Sequence, residues 1–304
     1  MLKGKDIVSV NDLSRENMER IFDVAKEMVP IARGNERSEV LKGYILANLF
    51  FEPSTRTRLS FEAAMHRLGG KVIGFSNPSS TSLAKGETLA DTIRIMDSYS
   101  DVIVIRHPLE GAARLAADFA QNPVINAGDG AGQHPTQTLL DIFTIVQEFG
   151  HVENLKITLM GDLRYGRTVH SLAIALSRLG ADIHLVSPRT LKMPKHIIRE
   201  MKSTPEVHDR IEEVVKDTDV FYVTRIQKER FPDPTEYRKV AGSYSITTET
   251  VKLMKKSAII MHPLPRVNEI APDVDFTPHA RYFQQAFYGV PVRMALLALV
   301  LGVM

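Results

Sequence analysis

The sequence predicts an α/β protein of two domains, each a parallel sheet flanked by helices. Three observations carry that prediction. Short apolar runs alternate with longer stretches of helical period, the pattern of strands covered on both faces and joined by crossover helices. The alternation comes in two series that meet near residues 135–150. The length, 304 residues, suits one large domain or two ordinary ones.

In the first series Tyr44–Phe51 is nearly all apolar and reads as a buried strand. Arg56–Leu68 follows as a helix, because Phe61, Met65 and Leu68 recur at helical spacing and Gly69-Gly70 supplies the stop. Lys71–Phe75, Asp101–Ile105 and Pro123–Asn126 read as further strands. Pro135–Phe149 is a helix with proline in its first turn, where the missing N–H has no helical partner, and it ends at Gly150. Leu139, Phe143 and Val146 fall on its inner face. The second series has strands at Lys156–Met160, Asp182–Val186, Asp219–Val223 and Ala258–Met261. Its helices are Arg167–Leu179 and segments near Lys195–Met201 and Glu249–Lys255. The expected boundaries are 1–134 for the first domain, 135–150 for a linking helix and 151–286 for the second domain. A last helix, Phe287–Leu301 within 287–304, is apolar on most sides and is expected to pack back on the first domain. Two polar loops, Ser76–Gly86 and Ile226–Ser245, are long enough to be lids, although length alone favours a solvated loop.

Composition excludes several classes. Lys plus Arg number 38 and Asp plus Glu 36, so the net charge of +2 gives no support to a nucleic-acid binder. An apolar content of 44% excludes a disordered chain. The absence of cysteine excludes disulfides, thiolate-bound zinc, iron–sulfur clusters and a thiol nucleophile, and it fits an intracellular protein. Lys3, Lys5 and Asp6 stand where a signal peptide would begin its apolar run. The most apolar stretch, Met294–Met304, is short of the ~18 residues a spanning helix needs. A cytoplasmic protein without a membrane segment is expected.

Ligands of open parallel sheets bind beyond the carboxyl ends of the strands. After Phe51 comes Glu-Pro-Ser-Thr-Arg-Thr-Arg, opening a helix. Ser54, Thr55, Arg56 and Thr57 there offer hydroxyls, a guanidinium and the N–H groups of a helix start, the donor set of a phosphate cradle. The plain alternative is a capped helix with solvated arginines. After Ile105 comes Arg106. A glycine-rich loop leads to His134, and Gln137 lies three residues further on at the helix start. In the second series Gly161–Thr168 nearly matches the nucleotide loop G-x-x-x-x-G-K-[ST], with Arg167 in the lysine position. Val223 is followed by Thr224-Arg225-Ile226-Gln227, and Met261 by His262-Pro-Leu-Pro-Arg266. The first cluster suits a phosphate, and Arg167 with Arg225 suits a carboxylate. No carboxylate or histidine spacing suggests a metal, and no Ser-His-Asp arrangement is legible, so neither a metal nor a cofactor is expected. Direct transfer between two anionic substrates fits best, catalysed by positioning and charge stabilisation.

Together, Phe51–Glu62, Lys85–Asp91, His134-Pro-Thr-Gln137, Gly161–Ser171, Thr224–Arg230 and His262–Arg266 resemble the aspartate carbamoyltransferase family in its catalytic chain, nearly end to end. The resemblance implies the aspartate/ornithine carbamoyltransferase fold. It also implies transfer of a carbamoyl group from carbamoyl phosphate to L-aspartate, an early step of pyrimidine synthesis. By that resemblance Ser54, Thr55, Arg56 and Thr57 match the phosphate site, and Arg106, His134 and Gln137 the carbamoyl end. Leu264 and Pro265 hold the carbamoyl amide through their backbone, and Arg167, Arg225 and Gln227 bind aspartate. Ser82 and Lys85 match a loop that enters the neighbouring subunit's site, although some relatives carry an extra residue between the two. A homotrimer with shared sites follows, often assembled with a zinc-containing regulatory chain. Ornithine carbamoyltransferase, the nearest alternative, carries a His-Cys-Leu-Pro segment and a Ser-Met-Gly segment, and this chain has neither. Arg167 and Arg225 would repel the cationic side chain of ornithine. A P-loop-like nucleotide-binding protein and a catalytically silent scaffold are the remaining readings.

Overall fold

Two parallel sheets organise the residues that the computed structural model describes: 2–130, 132–226, 233, 235, 238 and 244–304. They belong to two units, Met1–Phe143 with Phe287–Met304, and Thr144–Ala286.

Unit 1 holds strands β1 (Ile45–Phe50), β2 (Lys71–Phe75), β3 (Val102–His107) and β4 (Val124–Asp129), in the order β2-β1-β3-β4. All pairings are parallel, and Phe50 lies opposite Arg106. Its helices are α1 (Arg15–Arg33), α2 (Thr55–Arg67), α3 (Leu89–Tyr99), α4 (Ala112–Phe119) and the first part of α5 (Pro135–Phe149). Leu46, Ala47, Leu49 and Phe50 are all fully buried, as expected of a central strand covered on both faces. Ala47, Leu49, Ile103 and Ile105 form one core with Ile93 of α3 and Ala113 and Ala116 of α4. The inner face of α2 buries Phe61, Ala64 and Met65, and truncating Phe61 to alanine would cost about 3–5 kcal/mol.

Three of these helices go beyond the elements read from the sequence. The buried face of α3 is Thr92 and Ile93, and that of α4 is Ala112, Ala113 and Ala116, on a helix of only eight residues. α1 precedes the first strand. Its ends are well marked: Ser14 Oγ accepts the Asn17 N–H at 3.1 Å, and Gly34 closes it at φ +81°.

Unit 2 holds β5 (Lys156–Met160), β6 (Asp182–Val186), β7 (Glu206–His208), β8 (Val220–Val223) and β9 (Ile259–Met261), in the order β7-β6-β5-β8-β9, again parallel throughout. Helices α6 (Arg167–Arg178), α7 (Lys195–Glu200) and α8 (Thr248–Leu253) belong to it. Met160, Val186, Phe221, Val223 and Ile260 form a core with Ile246, Ile270 and Val274, while α6 buries Val169, Leu172, Ala173 and Leu176. β7 is a three-residue edge strand that the sequence did not announce, because Glu-Val-His is polar at two of three positions.

The last helix, α9 (Tyr282–Leu301), starts five residues before the expected Phe287, and its 287–301 part lies in unit 1. This corrects the reading of the apolar C-terminus. Among the described residues, α9 is long and apolar enough to cross a membrane, and 72% of its most apolar window is buried inside the protein. Core helices have that character. The polar Gln285 and Arg293 broke the run in the sequence, yet both are buried here.

In each sheet the strand order reverses beside the first strand: between β1 and β3 in unit 1, and between β5 and β8 in unit 2. Loops leaving such a point diverge to opposite faces and open a crevice at the carboxyl ends of the strands. Most of the residues singled out from the sequence follow these strands.

Candidate active site

The crevice of unit 1 is lined first by the start of α2. Ser54 is the N-cap residue in extended conformation, and no side chain caps the helix. The N–H groups of a first helical turn have no intrahelical acceptor, so a helix start without a side-chain cap is suited to an anion. Thr55 and Arg56 are exposed there, Ser54 is half-buried and Thr57 is buried. Across the reversal, Arg106 in β3 points its guanidinium at Glu52 (3.2 Å) and at the Ala127 carbonyl (3.1 Å). Glu52 was not singled out from the sequence. It lies two residues past the end of β1, and its carboxylate holds the Arg106 side chain.

The loop after β4 is pinned by side-chain bonds. Asn126 accepts the Gly128 N–H at 2.7 Å, and Asp129 accepts the N–H groups of Gln133 (2.9 Å) and Gly111 (2.8 Å). His134 is therefore delivered buried at the N-terminus of α5, where its carbonyl receives the N–H groups of Gln137 and Thr138. Gln137 is half-buried and donates from Nε2 to Asp141 Oδ1 at 2.8 Å.

Behind Gln137 lies a charge that the sequence reading missed. Arg293 of α9 is 3% exposed, and Asp141 is the carboxylate whose field supports its charge. Its guanidinium lies 5.0 Å from the centre of the Phe61 ring of α2. Burial pulls its pKa down to about 10, against the pull of Asp141. Gly289 makes room for it: a Cβ there would stand 2.3 Å from Nη1. An arginine inside a nearly apolar helix was the legible sign.

In unit 2 the β5 and β8 loops are joined. Thr224 Oγ1 accepts the Asp162 N–H at 3.0 Å, and Gly161 at φ +109° brings its Cα so close that a Cβ would meet the Thr224 carbonyl at 2.3 Å. Arg167 is the first residue of α6 and is buried, and Arg225 is half-buried just past β8. Gln227 lies outside the described residues. So does most of Ile226–Ser245.

The nucleotide-loop resemblance of 161–168 does not survive this geometry. Such a loop turns its N–H groups toward phosphates. Here the N–H of Asp162 goes to Thr224, that of Leu163 to the Leu191 carbonyl, and those of Arg164 and Tyr165 to Asp162 Oδ1. His170 Nε2 also bonds the Leu163 carbonyl at 2.8 Å, and burial holds the His170 pKa below the usual range.

The loop after β9 carries Leu264, half-buried, and Pro265, exposed, joined by a cis peptide bond. Leu264 sits at φ +53°, unusual for a branched residue. Its N–H donates to His262 Nδ1 at 2.8 Å, which makes Nε2 the protonated nitrogen, and Nε2 donates to Glu269 Oε1 at 2.7 Å. Glu269 Oε2 receives the N–H groups of Val267 and Asn268. Burial alone would raise the Glu269 pKa, but His262 and these N–H groups outweigh it and hold the carboxyl below its ordinary range. Arg266 is tied to Asp275 and to the Tyr282 hydroxyl, which also donates to Asp275.

Ser82 and Lys85 lie in unit 1 on a short 3-10 turn, Ser82–Lys85, and both are exposed. Two such turns, each preceded by a side-chain cap (Asn77 and Thr81), give the Ser76–Gly86 loop local structure where an open solvated loop was the plain expectation.

Residues 5–147 match the carbamoyl-P binding domain of the aspartate/ornithine carbamoyltransferase family, and residues 153–300 match its Asp/Orn binding domain. The chain is 58% identical to the aspartate carbamoyltransferase catalytic subunit of Thermoplasma volcanium, covering 99% of this chain and 100% of that one. It is 59% identical to that of Thermococcus onnurineus, covering 99% and 98%. The catalytic subunit of M. jannaschii aspartate transcarbamoylase superposes with a TM-score of 0.90 at 54% identity, covering 96% of each chain. The Trypanosoma cruzi enzyme in complex with carbamoyl phosphate and aspartate superposes at 0.91 with 43% identity, covering 99% and 98%. With both halves of the family matched in order over nearly its whole length, the chain belongs to the aspartate/ornithine carbamoyltransferase family.

Proposed function

We propose that the protein transfers the carbamoyl group of carbamoyl phosphate to L-aspartate, giving N-carbamoyl-L-aspartate and phosphate, in pyrimidine synthesis. The observation that carries this reading is the placement of anion donors at the strand-order reversal of each sheet, in a chain whose relatives are aspartate carbamoyltransferase catalytic subunits. In unit 1, Ser54, Thr55, Arg56 and Thr57 bind the phosphate at the start of α2. Arg106 and His134 donate to the carbamoyl oxygen, and Gln137 holds the carbamoyl nitrogen. In unit 2, Leu264 and Pro265 accept from the carbamoyl amide through their carbonyls. Arg167, Arg225 and Gln227 bind the aspartate carboxylates.

The reaction then follows from charge. The aspartate amine attacks the carbamoyl carbon, and negative charge builds on the carbonyl oxygen. Arg106, fixed by Glu52, and His134, fixed at the helix start, are donors whose positions are set before reaction, which is where electrostatic stabilisation acts most strongly. The carbon–oxygen bond to phosphate breaks, and the departing phosphate takes the amine proton. No protein base is needed.

Ser82 and Lys85 complete the site of a neighbouring copy, so the active unit is a homotrimer, and such trimers can carry a zinc-containing regulatory chain. Their exposure on a short ordered loop supports this part of the reading. Mixing Lys85→Ala with Arg106→Ala chains should restore activity, because some hybrid sites then carry neither change. Hybrids as inactive as their parents would rule out shared sites. The reaction itself is tested by phosphate release with aspartate and ornithine compared side by side. Release with aspartate alone is expected, and none with either would overturn the proposal.

A further inference from the structure

Parallel pairing of β6 with β7 sets His184 opposite Glu206 and Val186 opposite His208. Residues two apart on a strand share a face, so Asp182 and His184 share one with each other, and so do Glu206 and His208. The result is a cluster on the edge of the unit 2 sheet. β7 is the outermost strand, whereas Arg225 follows β8 on the far side of β5.

The three inner atoms are closely spaced. His184 Nδ1 is 3.0 Å from His208 Nε2, Glu206 Oε2 is 3.6 Å from the first nitrogen and 3.7 Å from the second. The point in their plane equidistant from all three atoms lies about 2.0 Å from each, and a tetrahedral position just outside that plane lies about 2.1 Å from each, both within the range of zinc–imidazole and zinc–carboxylate bonds. The separations are those of one face of a tetrahedron around an ion.

The outer nitrogens also face carboxylates. His184 Nε2 is buried without a hydrogen bond and has Asp182 Oδ2 at 3.4 Å, and His208 Nδ1 has Glu213 Oε2 at 3.4 Å. A histidine that binds a metal through one nitrogen characteristically offers the other to a carboxylate, which fixes its tautomer and raises its basicity. The carboxylate nearest His184 Nε2, Asp182, stands close by without a hydrogen bond, and His208 has that partner in Glu213. A solvated ion-pair patch has no need of it, and one of these histidines is buried, with a side chain only 8% exposed.

We propose that His184 Nδ1, His208 Nε2 and Glu206 Oε2 bind one divalent transition-metal ion of the zinc type, with water in the fourth position. Two imidazoles and a carboxylate, without thiolate, suit Zn2+, Co2+ or Ni2+ and disfavour Ca2+ and Mg2+, which prefer all-oxygen sets. The ion clamps β7 to β6. A three-residue edge strand makes few ladder bonds, so a shared ion adds a cross-link at that edge. The sequence could not announce the site, because His184 stands 22 positions before Glu206 and only the strand order joins them.

The test uses the untagged full chain, purified without any partner chain, stripped with a chelator and titrated with Zn2+, then with Co2+ as a visible-absorption probe. One zinc per chain should survive gel filtration, and the cobalt spectrum should be that of a tetrahedral site. Glu206→Gln, at an exposed position that leaves the core intact, and His208→Gln should each abolish retention. Glu213→Gln should weaken it by roughly tenfold. Zinc should raise the unfolding temperature of the wild type and leave that of the two ligand variants unchanged. Aspartate carbamoylation should be the same in Glu206→Gln as in the wild type, so this inference and the proposed function fail separately. Wild type that retains no zinc, or variants that retain as much, would overturn it.

Discussion

Each unit buries charge behind the loops that carry its candidate site residues: an arginine beside an aspartate in unit 1, a glutamate beside a histidine in unit 2. In unit 1 a buried cation backs the site: Arg293 supports the buried Asp141, which receives Gln137 at the start of α5. Unit 2 buries an anion: Glu269 accepts from His262 and from two backbone N–H groups, and His262 in turn accepts the Leu264 N–H. The two chains end differently. In unit 1 the last link is a side chain, Gln137, whereas in unit 2 it is backbone, at Leu264. The ionic balance differs too. Arg293 has a pKa below its ordinary value, so burial costs it more than Asp141 returns, and its charge is a net cost to stability at neutral pH. Glu269 has a pKa below its ordinary value, which for an acid means net stabilisation. The unit 1 charge is thus explained by what it positions, and the unit 2 charge by stability and position together.

The largest expected effect breaks the unit 1 chain. Arg293→Met alone leaves Asp141 buried without that support and should cost about 3–5 kcal/mol in urea denaturation. Adding Asp141→Leu should return most of that loss, since apolar pairs often replace buried ionic ones at no cost. The double variant should nevertheless have a raised KM for carbamoyl phosphate, because Gln137 has lost its acceptor. A double variant with unchanged kinetics would reduce the buried charge to a packing feature.

Next in size is the contrast in chemistry. His134→Ala and Arg106→Ala should each lower kcat about 10²–10³-fold, the loss typical of one oxyanion donor. Arg225→Ala should raise the KM for aspartate by roughly 10–100-fold, the equivalent of a charge-assisted pair worth about 1.5–3 kcal/mol. Its effect on kcat should be smaller. Equal kcat losses in all three variants would erase the assignment of transfer to unit 1 and aspartate binding to unit 2.

The smallest effect is on pH dependence. Glu269→Gln should destabilise the protein by about 1–3 kcal/mol at pH 7. Because the folded pKa of Glu269 lies below its unfolded value, its stabilisation is complete above the ordinary carboxylate pKa of about 4.3 and is lost as pH falls through the folded value. Variant and wild-type urea midpoints should therefore converge in acid. A constant gap from pH 7 to acid would show that the carboxylate charge contributes nothing.

Much of the fold was legible. Lys71–Phe75, Lys156–Met160, Asp182–Val186 and Pro135–Phe149 have the ends expected of them, because apolar runs bounded by glycine, proline or charge leave little freedom. α1, α3, α4 and β7 went unread, β7 because it is polar at two of its three positions. Of the candidate site, the hydroxyl-rich start of α2, Arg106 near the end of β3 and the arginines past β5 and β8 were legible from residue type and position. Glu52, Asp141 and the His184–Glu206–His208 cluster were not, because each acts through a partner remote in sequence or in a different element, and Arg293 showed only as a charge inside an apolar helix, its partners hidden.

The sequence by itself determined the alternation of strand and helix, the two series, and the placing of hydroxyl and guanidinium donors after strand ends. These depend on local periodicity and on the chemistry of neighbouring residues. The tertiary structure alone decided that Thr224, Leu191 and Asp162 consume the N–H groups of residues 162–165, so that the loop is no nucleotide cradle. It also decided that an arginine folds into the core beside Phe61, and that β6 and β7, joined by twenty-odd residues, bring side-chain atoms of His184, Glu206 and His208 within 3.7 Å of one another. Strand order and register are properties of the whole sheet, and no local reading contains them.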